Sequence, residues 1–159
     1  MTIKNKWLFA AGICSLLVAI LHVFIIIGGA EWYRFFGAGE AFAQMDEAGS
    51  IYPALATAGI TVVFALWAAY GFSGAGTIRR LPLLRIALVL IAGIYLIRGI
   101  GGIPLVLFGS DAYLQELSES PTFPFVSSLV SLAFGVLYTI GTKQIWQQLG
   151  ARAGARQNV

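Results

Sequence analysis

Four long apolar runs decide what this chain can fold into: Trp7 to Gly29, Ile51 to Phe72, Leu83 to Phe108, and Pro124 to Thr142. Coiled as helices at 1.5 Å per residue, they are roughly 28 to 39 Å long, enough to cross a hydrocarbon layer of about 30 Å with some tilt. Their apolar character is continuous and does not alternate with period two, which selects helices over barrel strands. Pro53, Pro82 and Pro124 fall at or near the starts of the second, third and fourth runs, where a missing N–H costs nothing. With 58% hydrophobic and 11% charged residues in 159, too little polar surface remains to coat a soluble globule. The expected fold is all-α: one integral membrane domain over residues 1–159, an antiparallel bundle of four transmembrane helices with short interfacial helices in the outer loops.

Charge sets the expected direction of threading. Lys4, Lys6, Arg79, Arg80, Arg85, Lys143, Arg152 and Arg156 belong to the N-terminus, the second loop and the C-terminal end. All seven acids, Glu31, Glu40, Asp46, Glu47, Asp111, Glu116 and Glu119, belong to the first and third loops. By the positive-inside rule both termini are cytoplasmic, in a bacterial inner membrane, and the acidic loops face outward. The basic face then meets anionic lipid headgroups, so membrane lipids are the expected partners. No basic reading face or motif points to nucleic acid. Lys4 and Lys6 before an apolar run resemble a signal peptide, but the run exceeds an h-region of about 7 to 15 residues, so an uncleaved first helix is expected.

The first outer connection, AEWYRFFGAGEAFAQMDEAGS, is about 21 residues long and should carry structure of its own. An aromatic interfacial turn over Glu31 to Phe36, a break at Gly37-Ala38-Gly39 and a short helix from Glu40 to Glu47 are expected. That GAG is no phosphate loop, since no strand precedes it and no Lys-Ser/Thr follows. The third loop, GSDAYLQELSES, is expected to hold a similar half-helix.

Polar groups inside the apolar runs are the candidate site. Arg98 lies near the middle of the third run, and an arginine there costs at least about 2.5 to 3.5 kcal/mol unless protein or water shelters it. His22 lies at a similar depth in the first run. Thr57 and Thr61 in the second, with Ser128 and Ser131 in the fourth, belong to seams of small residues that should face the bundle interior. Tyr95 stands one turn before Arg98. The following GIGGIP, with Pro104, is expected to bend the helix and open it outward. Arg98 is then either a latch that snorkels outward to pair with Glu31, a clamp for an anionic ligand, or a side chain facing lipid. His22 is either a helix–helix contact or a hydrogen-bond and proton partner.

Much chemistry is excluded. One histidine and one cysteine provide neither bis-His haem ligation nor a conventional zinc site, so no cofactor and no metal are expected. Cys14 has no partner for a disulfide and reads as a small hydrophobe. G-x-S-x-G, CxxC and P-loop motifs are missing. The segments EWYRFFGAGE, IYPAL, RRLPLLR and YLIRGIGG resemble those of uncharacterised small four-helix bacterial inner-membrane proteins, which implies the same topology and transfers no activity. The expected function is binding of a small anionic or lipid-like molecule in a buried polar pocket of the outer half. The ligand set would be Arg98, His22, Glu31, Tyr95, Thr57, Thr61, Ser128 and Ser131. The alternatives are an accessory or scaffolding subunit, in a homo-oligomer or a larger membrane complex, and a membrane enzyme acting on a lipid or quinone-like substrate.

Overall fold

The computed structural model describes residues 4–108 and 122–154. Among them the chain is helical throughout its regular structure: α1 (Lys6–Gly28), α2 (Ala30–Phe35), α3 (Glu40–Glu47), α4 (Tyr52–Ala75), α5 (Leu84–Phe108) and α6 (Thr122–Gly154). Four of these, α1, α4, α5 and α6, are long and apolar enough to cross a membrane. They match the four runs within three residues at every end but one. α6 continues past Thr142 through a stretch of Gln, Leu and Ala, good helix formers that hydropathy alone does not register. The expected half-helix of the third loop lies outside the described residues.

Local chemistry fixes the element ends. Asn5 caps α1, its side-chain oxygen accepting from the Leu8 N–H at 2.9 Å. Its amide then donates to the Gly141 carbonyl at 2.9 Å, tying the start of α1 to α6. Gly29, at φ 65, ends α1 in a conformation that a Cβ would strain, and the chain turns directly into α2. The short α3 falls on the expected span from Glu40 to Glu47.

Two close helix pairs, α1 with α4 and α5 with α6, join into the bundle. In the first, Gly12 and Gly71 let the backbones touch: a Cβ on Gly71 would lie 2.7 Å from the Gly12 Cα. In the second, Gly99 sits against the Leu132 backbone and Gly135 against Leu96. Among the described residues GIGGIP therefore stays helical, where a bend and an opening are expected from the sequence. α5 runs through Pro104 to Phe108, and Gly99 and Gly102 serve close approach to Leu132 and Ser128.

The main core, built on Leu8, Leu88, Ile91, Tyr95 and Tyr138, lies toward the end where the basic segments meet. There the Lys4 N–H donates to the Ala75 carbonyl, and the Arg85 guanidinium lies 3.7 Å over the Trp146 ring. At the other, acidic end, α2 and α3 fold as a cap in which Tyr33 and Ala43 pack on Ile25 of α1. Leu17, Ile27, Leu55, Leu66, Leu90 and Ile97 are exposed on the outside, an apolar surface suited to lipid.

Candidate functional site

The polar centre of the bundle is a chain of hydroxyls with one group from each spanning helix. The Tyr138 hydroxyl of α6 donates to the Trp67 carbonyl of α4 at 2.8 Å. Ser15 Oγ of α1 lies 3.0 Å from that hydroxyl and 3.1 Å from the Tyr95 hydroxyl of α5. Each hydroxyl has one proton, so the direction follows from the fixed end: Tyr95 donates to Ser15, Ser15 to Tyr138, and Tyr138 to Trp67. Ser15, Tyr95 and Tyr138 are all buried, and each has the partner that burial demands. Tyr95 belongs to the expected set. Ser15 and Tyr138 do not, although both could have been found by counting residues from the basic end of each span.

Among the described residues, the other expected site residues do not gather around Arg98. Arg98 is exposed on the outside of the α5–α6 pair, and its guanidinium donates to Ser127 Oγ at 3.5 Å. Ser127 stands five residues after Thr122, so Arg98 lies level with a point about 7.5 Å along α6 from its first described residue. The guanidinium is open to the surroundings of the bundle and not sheltered inside it. Glu31 does not pair with it. Its carboxylate is 87% exposed and turned to Arg34, the next turn of α2, because the cap packs on the α1–α4 side of the bundle.

The remaining candidates are held by their own helices. His22 is half-buried, with Nδ1–H donating to the Val18 carbonyl at 2.8 Å and its ring 5.2 Å from that of Phe64. Thr61 donates to the Thr57 carbonyl at 2.9 Å, and Ser131 to the Ser127 carbonyl at 2.8 Å. Thr57, Ser128 and Ser131 are buried as the seams require. Their role here is packing: Ser128, for example, fills the space opposite Gly102.

Arg34, not singled out from sequence, organises the acidic cap. Its Nε and Nη2 grip both oxygens of Glu40 at 2.7 and 2.9 Å, and Nη1 reaches Glu47 at 2.8 Å. This bidentate hold draws α2 against α3. The Arg34 hydrogen bonds lower the Glu40 pKa below the ordinary carboxylate range, and those same bonds, to Glu40 first and Glu47 second, raise that of Arg34. A lone arginine among three glutamates was the available signal.

A groove of about 530 Å³ runs between α5 and α6 toward the basic end, lined by Val89, Ala92, Gly93 and Leu96 on one side and Thr139, Thr142, Lys143 and Trp146 on the other. The Thr142 hydroxyl is buried without a hydrogen-bond partner. Its α6 neighbours differ, since Thr139 donates to the Gly135 carbonyl and Ser127 to that of Pro124. Among the described residues no group of histidine, cysteine or carboxylates could hold a metal.

Fold and surface together define a multi-pass membrane protein built on four helices. The chain matches no protein-family model, no curated protein and no solved structure.

Proposed function

We propose that the chain is a bacterial inner-membrane protein with antiparallel spans and both termini cytoplasmic, which binds a lipid-like molecule along its α5–α6 flank. The division of charge supports the orientation, with the basic segments gathered at one end and Arg34 and its glutamates at the other. The order of contacts supports antiparallel helices: Leu96 meets Gly135, and Gly99, further along α5, meets Leu132, earlier in α6. A reporter active only in the cytoplasm, fused to the C-terminus, gives signal if this orientation holds and none if it is reversed.

The groove carries the binding reading. Its size is that of a small-molecule site, its walls are largely apolar, and it lies on the outside of the bundle where lipid has access. The hydroxyls of Ser15, Tyr95 and Tyr138, by contrast, are already bonded to one another, which favours the flank over the interior. Gly93 supplies the test. It lines the groove, and a Cβ there would meet nothing within 4 Å, so Gly93→Leu fills the space without forcing the helices apart. Native mass spectrometry of the protein released from native membranes is expected to show retained lipid in the wild type and loss in Gly93→Leu. Gly59→Leu, at an equally open position on α4, should retain it. Equal lipid in all three would overturn the reading.

A further inference from the structure

Resting on that binding reading, we infer that the occupant of the α5–α6 groove is an anionic phospholipid, its phosphate held at the basic end by Lys143 and Arg85 and an acyl chain lying along Gly93 and Leu96.

Charge complementarity carries the choice of class. Lys143 lines the groove, and Trp146, one turn on, lines it too. Arg85 stacks on that same ring from α5, so the groove's end has one cation in its wall and a second on its aromatic. Among the described residues the acids, Glu31, Glu40, Asp46 and Glu47, belong to the cap at the opposite end, and the only ion pairs there are those of Arg34, so no described carboxylate is paired with Lys143 or Arg85. A guanidinium and an ammonium at the same end of the groove fit a phosphodiester that carries a net negative headgroup. A zwitterionic headgroup would bring its own cation toward them. The Trp146 ring suits the headgroup boundary, where one face is apolar and the other wet.

Thr142 gives the second, independent observation. It is 5% exposed, and its Oγ1 has no partner, whereas Ser127, Ser131, Tyr138 and Thr139 on the same helix each donate to a backbone carbonyl. An unpaired hydroxyl at membrane depth is costly. Thr142 adjoins Lys143 in the groove wall, where the ester oxygens of a lipid lie if its phosphate is on Lys143. With the Thr142 hydroxyl turned to the groove that its side chain lines, the carbonyl of such an ester supplies the missing acceptor.

Full-length protein in nanodiscs containing equal phosphatidylglycerol and phosphatidylcholine is extracted gently and its bound lipids counted by native mass spectrometry. The wild type is expected to retain phosphatidylglycerol preferentially. Lys143→Gln and Arg85→Gln should each lower that preference about five-fold, the effect of one cation at a headgroup, while leaving total bound lipid near normal. Lys143→Arg should keep the preference, which separates charge from packing. Thr142→Val should lower total retention without altering headgroup preference. Bound lipid with no headgroup preference in the wild type would overturn this inference and leave the groove reading intact. Absence of any retained lipid in the wild type would sink both.

Discussion

The Ser15 hydroxyl lies 3.0 Å from the hydroxyl of Tyr138, and because Tyr138 already donates to the Trp67 carbonyl, Ser15 must be the donor between them. This single orientation, continued to Tyr95, ties all four spanning helices through neutral groups. A hydroxyl network suits this depth because it carries no charge into a low-dielectric interior, whereas an ion pair there would have to recover a large desolvation penalty.

Tyr138→Phe removes two links, the bond from Ser15 and the bond to the Trp67 carbonyl, and should destabilise the bundle by about 0.6 to 1.7 kcal/mol for each, the range for interhelical hydrogen bonds in membranes. Ser15→Ala should have a similar effect, and the double variant should fall short of the sum because both act on one bond. Unfolding in mixed micelles measures all three. Additive effects would mean that the two hydroxyls do not share a bond.

Asn5 performs two tasks that substitutions can separate. Asn5→Asp keeps the oxygen that caps Leu8 but loses the donor to the Gly141 carbonyl; Asn5→Ala loses both. The alanine variant should cost about 0.5 to 2 kcal/mol from the cap, plus the strap to α6. Fraying of residues 5–9, followed by hydrogen exchange, should appear in Asn5→Ala and be much smaller in Asn5→Asp. Matching fraying in both would place the whole effect in the strap.

The spans were legible in sequence because membrane insertion imposes length and hydropathy on each helix separately. The small seams were legible for a related reason: Thr57, Ser128 and Ser131 are buried because only small residues allow close backbones. Partners across helices were not. Whether Arg98 faces inward or outward depends on the rotation of α5 about its axis, which the spacing of Gly99 and Gly102 against α6 decides. Glu31 was matched to Arg98 only as an acid of the first outer loop, and lateral position places it beside Arg34 instead. The α5–α6 groove left no mark on the chain, since it arises from small side chains on two helices that are distant in sequence.

Arg98 and Glu31 belong to different faces, and their energies should be independent. Arg98→Ala and Glu31→Ala, combined, should match the sum of the single variants within about 0.3 to 0.5 kcal/mol. Arg98→Leu should hold or raise stability in detergent, since it replaces an exposed cation by an apolar group on a surface shared with Ile97 and Ile100. A coupling above that range would restore the latch between the first outer loop and α5.

The Arg34 clasp gives the acidic cap a predictable pH dependence. Glu40 titrates below the ordinary glutamate value of about 4.3, because its carboxylate accepts from Arg34 at 2.7 and 2.9 Å and from Gln44 at 3.3 Å. A carboxyl whose folded-state pKa is depressed stabilises the fold at pH above its unfolded value, and that contribution fades as the pH falls through the folded one. The hold of α2 on α3 should therefore be constant from neutrality down to about pH 4 and loosen below it. High salt should weaken it at every pH, since these side chains are open to solvent. Amide exchange over residues 40–48, corrected for intrinsic rates, should rise in acid for the wild type. For Arg34→Gln it should be faster at neutral pH and nearly flat below it. If the variant keeps the wild-type acid response, the groups that open the cap are other carboxylates, and the Arg34–Glu40 pair does not hold it closed.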